Sequence, residues 1–349
     1  MKPAPRLDLA GLSPAWFGMV MATGILSIAA WQHGLSLLAE SLFTLNAATY
    51  ALLWLLNLLR LLRHPAEFAD DLADHMTSPG FFTAVAASGV LGCEVLVLAG
   101  SVRIALCLWG LAIGLWLLLT YGILAALVVK PAKPALDRGI HGGWLLVVVA
   151  TQSIAVLSAL LAARGVEHRL PLDFLALAMW LCGGMLYIWI ATLVLYRCVW
   201  FPVAPGDLTP PYWIGMGAMA ISTLAGALIS LNAADAPFLR PLLPFVNGFT
   251  VFCWAAGTWW IPLLLVLAFW RHVRRRFPLR HDPLWWSAVF PLGMYAASTF
   301  EMARALDLPF LAPVPVAFLG AALLAWAAAF AGVLRHLLRC LLGRGGTLR

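Results

Sequence analysis

Apolar residues along this chain come in ten long blocks separated by short polar or charged connections. At about 20 apolar residues per bilayer crossing, the blocks predict membrane-spanning helices over 14–32, 37–59, 79–99, 104–129, 141–162, 172–200, 211–231, 242–270, 283–305 and 312–338. The expected fold is an all-α integral membrane protein, with a segment 1–13, a ten-helix transmembrane domain over 14–338 and a tail over 339–349. Even blocks are leucine-rich, as lipid-facing helices are. Odd blocks are poor in leucine and rich in Gly, Ser and Thr, a composition suited to close helix approach. The alternation predicts five helical hairpins around a central pore, odd helices inside and even helices outside.

An internal repeat supports that arrangement. The odd blocks open as SPAWFGMVMATGILS, SPGFFTAVAASGVLG, TPPYWIGMGAMAIST and DPLWWSAVFPLGMYA, and the fifth, GIHGGWLLVVVATQS, keeps the aromatic but lacks the proline. Repeats of this kind are common among membrane transport proteins. Counting seven residues from each anchoring proline gives Met21, Ala86, Gly217 and Phe290; three further on come Gly24, Gly89, Ala220 and Gly293. Phe290 is the one ring at a level otherwise held by two small residues and a methionine. Pro291 follows it, removes a backbone donor and predicts a bend at Phe290. The ring is then either a plug across a narrow passage or an ordinary packed aromatic beside a kink.

Composition fits the same class. The 349 residues are 63% hydrophobic and 11% charged, more apolar material than a soluble core of this size buries. The net charge of +7 could suggest nucleic acid, but topology explains it better. Seventeen of the 22 Lys and Arg fall in connections on one side, so the positive-inside rule predicts cytoplasmic N and C termini. The first apolar block is expected to be a retained helix rather than a cleaved signal. The six cysteines lie in or beside apolar blocks without CxxC or Cys/His spacing, so neither disulfides nor a metal site nor a cofactor is expected. No grouping of nucleophile, base and orienting residue points to an enzyme.

What the odd blocks offer is polar but uncharged. Thr23, Ser27, Thr83, Ser88, Thr151, Ser153, Ser222, Thr223, Ser298 and Thr299, with Gly24, Gly89 and Gly293, are candidate pore-lining residues for a small anion. Fixed lysines would hold such an anion too tightly to release it. The alternative for each hydroxyl is a bond back to its own helix carbonyl. Glu94, an intramembrane acid without a partner on its own helix, is a candidate for proton coupling, the alternative being a solvated carboxylate in the outer vestibule. His141 caps its helix or titrates, and Glu301 is expected to pair with Arg304 three residues on.

The segments PAWFGMVMATGILS (14–27), GFFTAVAASGVLG (80–92), GTWWIPLL (257–264) and WWSAVFPLGMYAAST (285–299) resemble the tellurite-resistance/dicarboxylate transporter family. That family includes bacterial tellurite-resistance proteins, yeast malate and sulfite permeases and plant slow anion channels. The resemblance implies ten helices as five hairpins, a homotrimer with one pore per subunit, and Phe290 with Pro291 as the pore gate. It also implies residence in a bacterial inner membrane and a small-anion substrate, while the loop charge, explained by topology, calls for no nucleic-acid partner. Two mechanisms stay open: gated anion permeation, and proton-coupled transport of C4-dicarboxylates or export of sulfite or tellurite.

Overall fold

A computed structural model describes residues 9–343 except residue 167 and residues 279–282. Most of segment 1–13, the end of tail 339–349 and the basic residues Lys2, Arg6, Arg280, Arg344 and Arg349 thus lie outside the described residues. Ten helices of 15 residues or more account for the architecture: α1 Gly18–Gln32, α2 Ser36–Arg63, α3 Phe82–Leu98, α4 Val102–Val129, α5 Leu146–Ala163, α6 Arg169–Trp200, α7 Ile214–Asn232, α8 Leu243–Phe269, α9 Trp286–Ala305 and α10 Pro313–Gly343. Short helices Pro65–Leu72 and Leu136–Gly139 lie in the connections after α2 and α4. No strand occurs among the described residues.

Among the described residues, nine of these helices are long and apolar enough to cross a membrane. The one outside that set is α9, whose Trp, Tyr, Ser, Thr, Pro and Glu side chains dilute its hydropathy over 20 residues. Burial divides the nine into two populations. In α1, α3, α5 and α7, with their leading turns, between 78% and 94% of the apolar window is buried; in the outer five the range is 17% to 44%. α9 belongs with the buried set, since Val289 to Thr299 are all buried except Leu292.

The five buried helices close a cycle in which α1 packs on α3, α3 on α5, α5 on α7, α7 on α9 and α9 on α1. Each outer helix packs on the inner helix before it and on the next: α2 on α1 and α3, α4 on α3 and α5, α6 on α5 and α7, α8 on α7 and α9, α10 on α9 and α1. Every inner helix opens with a 3₁₀ turn, at Pro14–Phe17, Ser78–Phe81, Gly142–Leu145, Pro210–Trp213 and Pro283–Trp285. Proline suits that place because its fixed φ is already helical and its missing N–H has no intrahelical acceptor there. Pro291 stands inside α9, which continues as one helix past it.

Basic side chains fasten this end of the molecule. Arg60 Nε donates to the Ala10 carbonyl (3.0 Å), Lys130 Nζ to Ala73 (2.7 Å), Arg197 Nε to Asp137 (3.2 Å) and Arg271 Nη1 to Leu208. In each case the end of an outer helix reaches back to the segment preceding its own inner helix. Arg60 also pairs with Asp71 at 2.5 Å and Arg197 with Asp207 at 3.1 Å. Cations at helix C-termini also complement the helix dipole. Arg60 and Arg197, counted from sequence as loop charge, are therefore buried structural clasps.

Candidate functional site: an axial cavity above a closed layer

At the opposite end, where the inner helices finish, a cavity of about 390 Å³ lies between all five of them. Its deepest layer is Ile25, Val90, Ser153, Ile221 and Met294, one residue from each inner helix. Each of these stands four residues, one helical turn, beyond Met21, Ala86, Val149, Gly217 and Phe290, all of which are buried. The register read from the prolines thus falls one turn before the cavity lining on each helix, and Val149 holds the corresponding position on the helix without the proline. At ~100° per residue, Phe290 falls on the same stripe of α9 as the lining residues Met294 and Glu301. Gly217 packs closely on the next residue, Pro291: a Cβ on Gly217 would come within 2.8 Å of Pro291 Cγ. A Cβ on Gly89, which borders the cavity, would come within 2.7 Å of Ser153 Oγ. Small residues at these points let neighbouring inner helices approach.

The cavity wall is mainly aliphatic and aromatic, and its polar members are Gln32, Ser153, Glu301 and Arg304. Of the candidate lining residues, Gly89 and Ser153 border it. Most hydroxyls face elsewhere, and a repeated contact shows why. The indole N–H of Trp326 on α10 donates to Thr23 on α1 (2.9 Å), Trp116 on α4 to Thr151 on α5 (2.8 Å), and Trp254 on α8 to Thr299 on α9 (3.0 Å). Tyr50 on α2 bonds Ser88 on α3 (2.7 Å), and Trp180 on α6 donates to the Ser222 carbonyl on α7 (2.8 Å). Each outer helix thus latches to the next inner helix through an aromatic side chain, and α4 does so twice, Trp109 donating to Ser158 at 2.8 Å as well.

The remaining hydroxyls bond to nearby carbonyls. Ser27 donates to Ala39 on α2, and Thr83 to Gly80 and Pro14. Ser222, Thr223 and Ser298 bond back within their own helices. Thr23 and Ser27 lie two residues from the lining Ile25, Ser88 two from Val90 and Thr151 two from Ser153. Two residues is about 200° of rotation, the far side of a helix. Gly24 packs toward Asn46, Glu94 and Val90, and Gly293 toward Ile25 and Leu26. The expectation of a hydroxyl-coated passage therefore gives way to a mainly apolar cavity with Ser153 the one candidate hydroxyl residue on its described wall.

Glu94 also turns away from the cavity. It is fully buried, and its Oε2 accepts from Asn46 Nδ2 on α2 at 2.5 Å; its neighbour Cys93 lines the cavity. His141 Nδ1 accepts from the Gly143 N–H at 3.1 Å and caps the turn that starts α5. Burial holds the His141 imidazole below its usual pKa, against opposing contributions from the His75 and Met76 backbone and Asp74. At the cavity mouth Glu301 Oε2 pairs with Arg304 Nη2 at 2.8 Å, and Glu301 Oε1 accepts from Gln32 Nε2 on α1 at 2.9 Å.

Comparison with known proteins places this architecture. The model of the SLAC1 family, described as voltage-dependent anion channel, matches residues 11–334. The chain belongs to this family. It is a membrane protein of an anion-transporting family, and the names of family and relatives denote channels and transporters rather than enzymes. An uncharacterized membrane protein of Mycobacterium tuberculosis is 42% identical over 161 residues, 46% of this chain and 81% of the relative. An uncharacterized transporter of Methanocaldococcus jannaschii is 26% identical over 82% of this chain and 83% of its own length. A sulfite efflux pump of Trichophyton rubrum is 24% identical over 87% of this chain and 85% of its own length.

Proposed function

We propose that small anions cross along the axis of the inner five-helix ring and that Phe290, positioned by Pro291, closes the path in the conformation described. The observation that carries this reading is the cavity lined by all five inner helices and ending one turn above the buried Phe290 layer. An apolar constriction closes a path to ions because water leaves it and an unhydrated charge is costly there. Opening then requires Phe290 to leave the axis. In this reading all ten long helices cross the bilayer as five hairpins, α9 included, because the cycle is incomplete without it. Both termini face the cytoplasm, the membrane is a bacterial inner membrane, and three copies assemble with one path each.

Sulfite is the first substrate to test, given the relatives named as sulfite efflux pumps, with chloride and nitrate as monovalent controls. Proton-coupled dicarboxylate transport has less support: Glu94 faces α2, His141 serves as a cap, and the cavity's one carboxylate is already held by Arg304 and Gln32. In proteoliposomes, Phe290→Ala is expected to raise anion flux at least about tenfold, the effect of relieving a barrier of ~1.4 kcal/mol. Unchanged flux from a folded, correctly assembled variant refutes the gate. Wild-type uptake that depends on an imposed proton gradient favours the coupled carrier instead.

A further inference from the structure

Of the described residues lining the axial cavity, only Glu301 and Arg304 carry charge. They stand at its mouth on the last turn of α9, and their exposures differ: the Arg304 side chain is 57% exposed and that of Glu301 10%. Glu301 is fixed from two sides, by Arg304 through Oε2 and by Gln32 through Oε1. Among the described lining residues Arg304 is the one cation, and the carboxylate beside it is a built-in competitor for the same guanidinium.

We propose that Glu301 is a resident counter-ion that sets the affinity of the cavity for its anionic substrate by occupying Arg304. This rests on the axial reading given above. An arginine without such a partner, at the rim of an apolar cavity, binds an anion strongly through charge-assisted hydrogen bonds. Strong binding at a single site slows exit. With Glu301 in place, an entering anion must share or displace an existing ion pair, so it is captured briefly and passed on. Because Glu301 is buried and held by α1, it stays when the more exposed guanidinium swings toward the substrate. The chemistry selected is a small oxyanion or halide able to compete with a carboxylate for one guanidinium.

The test is saturation of sulfite and chloride flux in proteoliposomes, read as the half-saturating concentration and the maximal rate. Glu301→Gln is expected to lower the half-saturating concentration about tenfold and to reduce the maximal rate, while Arg304→Gln raises the half-saturating concentration several-fold. Gln32→Leu removes the α1 contact but keeps the ion pair, and is expected to leave the half-saturating concentration within about twofold. If Gln32→Leu reproduces the Glu301→Gln shift, helix packing rather than charge competition is responsible and the proposal falls. With wild-type flux present, an unchanged half-saturating concentration in Glu301→Gln overturns this proposal alone. Absence of flux from wild type and Phe290→Ala together overturns the axial reading as well.

Discussion

The two ends of the inner ring are built on opposite principles. Where the inner helices begin, 3₁₀ turns, basic side chains and backbone carbonyls tie four outer helices, α2, α4, α6 and α8, to the start of their own inner partners. Where they end, the same five helices part around an apolar cavity whose one ion pair stands at the rim. The difference teaches where cohesion and passage are assigned. Polar bonding is spent on the outer-to-inner seams and the base, so the axis is left to side-chain shape.

The largest expected effect comes from breaking the base. Arg197→Ala removes the contact to Asp137 and the pair with Asp207, and should cost about 2–3 kcal/mol, below the range for a fully buried pair because Asp207 remains partly in water. Thermal unfolding in detergent reads this as a lowered midpoint, and Arg197→Lys should recover part of it.

A smaller effect separates seam from axis. Thr151→Val leaves the Trp116 indole without its acceptor and should cost ~1 kcal/mol, while anion flux stays within about twofold because the hydroxyl lies off the path. A large loss of flux with stability intact would return Thr151 to the passage.

The smallest effect is a pH dependence. The folded-state pKa of His141 is depressed by burial below its ordinary 6.5, so the unfolded chain takes up a proton first as pH falls. Its contribution to stability is complete above about pH 6.5 and declines below it. His141→Asn should flatten the midpoint-against-pH curve in that region, with an asparagine oxygen able to retain the cap.

Much of this architecture was legible in the chain. Runs of apolar residues fixed the helix positions to within a few residues: 14–32 against Pro14–Gln32, and 211–231 against Pro210–Asn232. The contrast between leucine-rich and small-residue blocks separated the buried from the exposed helices. Register from the anchoring prolines picked out Met21, Ala86, Gly217 and Phe290, each buried and one turn before a cavity-lining residue. The hydroxyls were misread for a physical reason. Composition says which helix carries a polar group, whereas a two-residue offset decides which side it faces, and the tryptophans that claim it come from elsewhere in the sequence. Nothing near Thr23 announces Trp326.

Local sequence determined the number, order and chemical character of the helices, because apolar length and residue size act within a single segment. The tertiary structure alone decided that Ser88 faces Tyr50, that Glu94 meets Asn46, that Arg197 reaches back to Asp137, and that a cavity opens above Phe290. Those contacts join groups dozens of residues apart, and their partners are set only when five inner helices close on one another and turn each face toward a particular neighbour.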